Sequence, residues 1–187
     1  MNFKEVNPII IGMCGAKQVG KGTIATLLSQ QLSHIVFVEN AFAHQIKLDV
    51  ASAFGISLEE LEKRKNDPIV RKTLQYYGTE WSKGERGEAV WINVLEARLF
   101  PCPWTKRVIS YITDCRFKDE AEWIRSKGGS IVTIERPSIK EAADPHRSER
   151  EWIQISPDWR IINDGSMLDL ERNVKWLARD IKERYGI

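Results

Sequence analysis

A chain of 187 residues, 42% hydrophobic and 29% charged, is long enough for one α/β domain with a sizeable core. It is neither disordered nor dependent on disulfide staples. Its 28 basic and 26 acidic residues leave a net charge of +2, which excludes broad coating of nucleic-acid polymers and leaves any work on anions to local charge placement. Cys14, Cys102 and Cys115 are widely spaced with no C-x-x-C pair, as in a reduced, cytoplasmic protein. No apolar run approaches the roughly 20 residues of a membrane span.

Ile9 to Cys14 is a short apolar run followed by glycine, the pattern of a strand buried on both faces. Ile24, Leu27, Leu28 and Leu32 then recur at helical spacing. His34 to Glu39 predicts a second strand, and Phe42 to Phe54 a helix with Ile46, Val50 and Phe54 four apart. Ser57 with Glu60 forms a capping box that starts a helix at Leu58. Helices are expected over Asp67 to Tyr77, stopping at Gly78, and over Glu88 to Leu99, stopping before Pro101. Arg107 to Thr113 predicts a third strand, and Lys118 to Lys127 a helix closed by Gly128-Gly129. Ser130 to Glu135 predicts a fourth strand and Arg160 to Ile162 a fifth. Ser166 with Asp169 caps a C-terminal helix striped by Leu170, Val174, Leu177 and Ile181. The alternation implies a five-stranded parallel sheet between helices. Pro137 to Glu151 is polar and charged, either a plain surface loop or a mobile lid.

Gly15-Ala16-Lys17-Gln18-Val19-Gly20-Lys21-Gly22-Thr23 joins the first strand to the first helix. This is the G-x-x-x-x-G-K phosphate loop in its required context. Glycines let backbone N–H groups turn toward one anion, and the helix N-terminus adds partial positive charge. Lys21 supplies a mobile cation for β and γ phosphates. Gly22 stands where many such loops carry the Ser or Thr that holds Mg²⁺, and the hydroxyl comes one place later, at Thr23. Any ligation of magnesium by Thr23 is therefore expected through water.

Thr113-Asp114-Cys115-Arg116-Phe117 closes the third strand. Ligands of open α/β sheets bind outside the carboxyl ends of the strands, so Asp114 and Arg116 should face the crevice of the phosphate loop. Asp114 suits hydrated Mg²⁺ or a hydrogen bond from an acceptor; Arg116 suits a bidentate grip on phosphate. An N-cap Asp and a solvated Arg are the plain alternatives.

Gly20-Lys21-Gly22-Thr23 resembles the loop of nucleoside monophosphate kinases such as adenylate kinase. Thr113 to Phe117, continued by Glu120-Ala121-Glu122-Trp123, resembles the "S/T-D-x-R-F, then N/D-E-A-E" motif of phage-type deoxynucleoside monophosphate kinases. Leu74 to Glu80 resembles that family's "L-Q-x-x-G-T-E" run. Arg136-Pro137 with His146-Arg147-Ser148-Glu149 resembles its "R-P … H-x-S-E" lid, and Ile162 to Ser166 its "I-x-N-D-G-[ST]" loop. One departure is Trp81-Ser82-Lys83, where an Arg is expected soon after the "G-T-E".

The resemblance implies a single P-loop kinase domain with an acceptor-binding insertion near 41–100 and a lid near 137–151. It implies phosphoryl transfer from ATP, with Mg²⁺, to a small nucleotide acceptor, and contact of Asn163 and Gly165 with adenine; Asn-Asp-Gly is also strong turn chemistry by itself. Gln75 lies where such kinases place their acceptor, and its amide both donates and accepts. Lys47, Arg64 and Arg71 could hold the acceptor phosphate, or line a solvated helix face. Trp81 falls in the same insertion. Arg136, Arg147 and Arg150 are the lid cations for the transferring group, and His146 a hydrogen-bonder within the lid. A kinase acting on dephospho-coenzyme A or phosphomevalonate, or a nucleotide-dependent regulatory module, would share the loop and the Asp-x-Arg. Monomer and homodimer stay open.

Overall fold

The computed structural model describes residues 7–100, 106–139 and 146–187. Cys102, Trp104 and the 140–145 part of the expected lid lie outside the described residues. The chain divides into two compact units, Met1–Asn40 with Cys102–Ile187, and Ala41–Pro101.

The first unit holds five parallel strands, β1 (Ile9–Cys14), β2 (Val36–Asn40), β3 (Val108–Ile112), β4 (Ser130–Glu135) and β5 (Trp159–Ile162), in the order β2-β3-β1-β4-β5. β1 is central because it is the most continuously apolar: Ile10, Ile11, Met13 and Cys14 are all buried. Its register sets Gly12 beside Ile112 of β3 and Cys14 beside Thr133 of β4. Among the described residues three α-helices belong to this unit: α1 (Lys21–Gln31), α7 (Lys118–Ser126) and α8 (Met167–Tyr185). The chain leaves β1 toward β2 but leaves β3 toward β4. Right-handed crossovers in opposite directions put α1 and α7 on opposite faces of the sheet. α8 returns to pack beside α1. The fold is the P-loop kinase fold, with the crevice at the carboxyl ends of β1 and β3, where the winding reverses. β5 borders β4 at the sheet edge rather than β1, so the loop after it reaches the phosphate loop through a side chain, not as a neighbouring strand.

The second unit is helical: α2 (His44–Phe54), α3 (Leu58–Arg64), α4 (Pro68–Gln75), a π-helical turn (Tyr76–Trp81), α5 (Ser82–Arg86) and α6 (Val90–Leu99). Val50, Ala51, Leu61 and Val70 form its core, with Ile56, Leu58, Leu74 and Tyr77 packed against them. Ser57 accepts from the Glu60 amide and starts α3 as expected. Gly78, by contrast, does not end its helix. A Cβ there would lie 2.7 Å from Ile46 Cδ1, and the Gly78 carbonyl accepts from Trp91 Nε1 at 2.6 Å. The glycine is a point of close approach inside a helical run that continues through the π turn into α5. α6 begins at Val90, later than expected, because Gly87 takes a positive φ of 93° and its carbonyl accepts from the Val90 amide.

Of the described tryptophans, Trp91, Trp123, Trp152 and Trp159 are buried anchors, while Trp81 and Trp176 are partly exposed. Among the described residues no helix is long and apolar enough to cross a membrane.

Candidate active site

The phosphate loop turns sharply, and three residues carry the turn: Gly15 at φ 138°, Gln18 at φ 66° and Gly20 at φ 98°. Gly15 also lies against β4; a Cβ there would stand 2.4 Å from the Ile134 carbonyl oxygen. Backbone geometry, more than any side chain, shapes this cradle. Ala16 and Val19 are buried within it and Lys17 is half-buried. Asn163, from the loop after β5, donates through Nδ2 to the Val19 carbonyl at 2.9 Å. Gly165 is exposed in the same loop, and Asp164 accepts from the Ser138 amide.

Lys21 opens α1 and folds back over the loop, donating to the carbonyls of Gly15 (2.8 Å) and Ala16 (2.6 Å). Burial pushes its amine down to about 8, and the Arg116 charge pushes the same way; Glu149 and Asp114 pull it up. Those influences gather Lys21, Asp114, Arg116 and Glu149 into one charged cluster of two cations and two anions.

Asp114 and Arg116 sit on the turn between β3 and α7. Glu120 fixes that turn: its buried carboxylate accepts from the amides of Arg116 (2.7 Å) and Phe117 (3.1 Å), two orphan donors at the start of α7. The Arg116 guanidinium donates through Nη1 to the Ser148 carbonyl (3.0 Å) and pairs with Glu149 Oε1 (2.6 Å). Both partners lie on a 3₁₀ turn, Arg147–Glu149, so this part of the expected lid is an ordered turn seated on the Asp-x-Arg segment. His146 caps that turn: Nδ1 accepts from the Ser148 amide and bonds its hydroxyl. Arg147 lies over the Phe117 ring, 5.1 Å from its centroid, and pairs with Glu151 at 2.8 Å. Arg136, at the end of β4, and Arg150 are exposed.

The acceptor candidates all belong to the 41–101 unit. Lys47 pairs with Glu62 at 2.6 Å, and Arg64 lies 3.7 Å from Glu60. Arg71 and Gln75 are half-buried along α4. Trp81 is 42% exposed and stacks on Tyr77 with centroids 5.4 Å apart. The Tyr77 hydroxyl in turn donates to Asp49.

Gly22 and Thr23 are exposed at the start of α1. Among the described residues no three His, Cys, Asp or Glu side chains converge on a metal position. One carboxylate, Asp114, beside a phosphate loop suits Mg²⁺, which keeps several waters and draws other ligands from substrate phosphates. Cys14 and Cys115 lie buried beneath the site as free thiols, the Cys115 thiol pushed up by its contact with Cys14 and by burial. Glu120, Ser148 and Glu149 were given no role by sequence reasoning. The "E-A-E" and "H-x-S-E" runs were the available signal, but nothing in their spacing says that Glu149 meets Arg116.

The sequence model of a family described as deoxynucleotide monophosphate kinase matches residues 56–174. A protein of Acanthamoeba polyphaga mimivirus, described as "Putative deoxynucleotide monophosphate kinase", is 29% identical over 180 residues, spanning 85% of this chain and 90% of that protein. A crystal structure of a "putative kinase" from Chloroflexus aurantiacus superimposes with a TM-score of 0.50 at 12% identity, over 95% of this chain and 97% of that one. Shikimate kinase from Aquifex aeolicus gives a TM-score of 0.48 at 17% identity, over 95% and 98%.

Proposed function

The chain belongs to the deoxynucleotide monophosphate kinase family and is a phosphotransferase, and on that premise we propose that it moves the γ-phosphoryl group of ATP to a (deoxy)nucleoside monophosphate. The observation that carries the reading is the cluster of Lys21, Asp114 and Arg116 beside a loop whose cradle is made by the backbone. Phosphoryl transfer asks a protein for positioning and charge neutralisation rather than covalent chemistry, and this cluster supplies both.

In this reading Lys21 and the amides of the 15–23 loop hold the ATP phosphates. Asp114 holds hydrated Mg²⁺ or orients the acceptor, with Thr23 reaching the ion through water. Bound magnesium would supply neutralisation of phosphate charge. Arg116, Arg136 and Arg147 neutralise charge on the transferring group. Asn163 and Gly165 border the adenine. The 41–101 unit takes the acceptor through Lys47, Arg64, Arg71, Gln75 and Trp81; the partial exposure of Trp81 supports a stacking surface there. Buried free thiols support a reducing, cytoplasmic setting.

ADP release, measured by coupled assay against each common ribo- and deoxyribonucleoside monophosphate, tests the reading. At least one should stimulate turnover, and Lys21→Ala should reduce that turnover by about 10³-fold or more while the protein still melts cooperatively. ATP hydrolysis indifferent to every monophosphate would overturn the assignment.

A further inference from the structure

Arg116 lies close enough to Lys21 for its charge to act on the lysine, and long side chains are costly to hold in one geometry. Among the described residues, both contacts of its guanidinium run through Nη1, to the Ser148 carbonyl and to Glu149 Oε1. An arginine has five N–H donors in a rigid fork. Holding one corner leaves, among the described residues, the rest of the fork able to meet phosphate oxygens.

Glu149 is itself held firmly. Its side chain is 14% exposed, its carbonyl accepts from Trp152 Nε1 at 3.0 Å, and its turn is capped by His146 and braced by Arg147 over Phe117. Glu120 fixes the other end by binding the Arg116 amide. Backbone and guanidinium of Arg116 are thus each anchored by a carboxylate. Arg116 also repels Lys21, and the Glu149 carboxylate paired with the guanidinium offsets that repulsion.

We propose that Glu149 is a positioning residue: it anchors the Arg116 guanidinium by one nitrogen and aims the remaining N–H groups at the phosphoryl group. This rests on the kinase reading above and adds to it a residue that never needs to touch substrate. Glu149 does its work through Arg116, so its removal should slow the chemical step more than it weakens binding.

The test uses the whole chain with Glu149→Gln, Glu149→Asp, Arg116→Ala and the double variant Arg116→Ala/Glu149→Gln. In nitrogen-15 NMR without nucleotide, the Arg116 guanidinium should rotate slowly in the wild type and in Glu149→Asp, and freely in Glu149→Gln. In steady-state assays Glu149→Gln should lower kcat by about 10- to 100-fold, as expected for a small misplacement of a catalytic group. The KM for ATP and acceptor should move by less than about threefold. Glu149→Asp should recover most of the rate, and Glu149→Gln should cost nothing further once Arg116 is alanine. Three results would each overturn the proposal: a guanidinium equally restrained in Glu149→Gln, a loss carried by KM alone, or a loss undiminished in the Arg116→Ala background. The NMR measurement needs no turnover. A wild type that restrains Arg116 but phosphorylates no monophosphate would therefore break the kinase reading while the anchoring stands.

Discussion

The phosphate loop and the Asp-x-Arg turn lie side by side, yet they are built differently. In the loop the shape comes from the main chain: left-handed residues at 15, 18 and 20, and carbonyls that receive Lys21. In the turn it comes from side chains: Glu120 on two amides, Glu149 on a guanidinium, Arg147 on a ring. A main-chain cradle tolerates changes wherever Cβ points into solvent and fails where Cβ meets backbone. A side-chain lattice depends on particular charges and loses function by degrees. The two regions should therefore break in different ways.

The sharpest break is at Gly15. Alanine there needs a φ of 138° that L side chains rarely adopt, and its Cβ would stand 2.4 Å from the Ile134 carbonyl oxygen. Neither the strand nor a flexible tip can give way. Gly15→Ala should cost about 2 to 4 kcal/mol of stability and abolish nucleotide binding, read by melting and by calorimetric titration. A Gly15→Ala protein that melts and binds as the wild type would show that the cradle is not fixed by its backbone.

A smaller effect comes from Lys21, a titratable group on which both regions act. Burial and Arg116 lower the Lys21 amine from 10.5 to about 8. The sign follows from linkage. In the free protein Lys21 loses its proton above about pH 8, whereas the unfolded chain keeps it up to its ordinary value, so this group makes stability rise with pH across that window. Bound phosphate favours the ammonium, so nucleotide binding above pH 8 takes up a proton. Affinity for ATP should fall by up to about tenfold per pH unit there, while the thermal midpoint gains from the same group. Lys21→Arg, which stays charged, should flatten the decline. An affinity that stays level between pH 8 and 9 would mean that the loop lysine is not desolvated.

These differences explain what could be read from the chain alone. β1 and α1 were legible because an apolar run, a glycine pattern and a helical stripe are all local signals. Ser57 and Ser166 announced their helices for the same reason. Glu149 was not legible as a partner of Arg116, because their meeting is set by how the chain returns from β4 to β5. Gly78 misled for a related reason: a glycine stop and a glycine contact look alike until Ile46 and Trp91 are in place. Gln18 carries a positive φ with no glycine to mark it.

The mildest change tests the same contrast within the loop itself. Gly22 and Gly15 are both loop glycines, but a Cβ at Gly22 meets nothing within 4 Å, and its φ lies outside the left-handed region. Serine therefore fits without strain, and as the second residue of α1 it should add about 0.5 kcal/mol by removing the freedom of glycine. It also places a hydroxyl where the loop lacks one. If magnesium is held by Asp114 with only water from the loop side, Gly22→Ser should lower the Mg²⁺ concentration for half-maximal rate by about threefold, with a small rise in melting temperature. If the midpoint rises and the magnesium dependence does not move, position 22 does not face the metal, and the charge cluster around Asp114 alone sets the ion's place. If the midpoint falls instead, the open space beside Gly22 is needed by the nucleotide-free loop, and the division between backbone-built and side-chain-built regions is less clean than the geometry draws it.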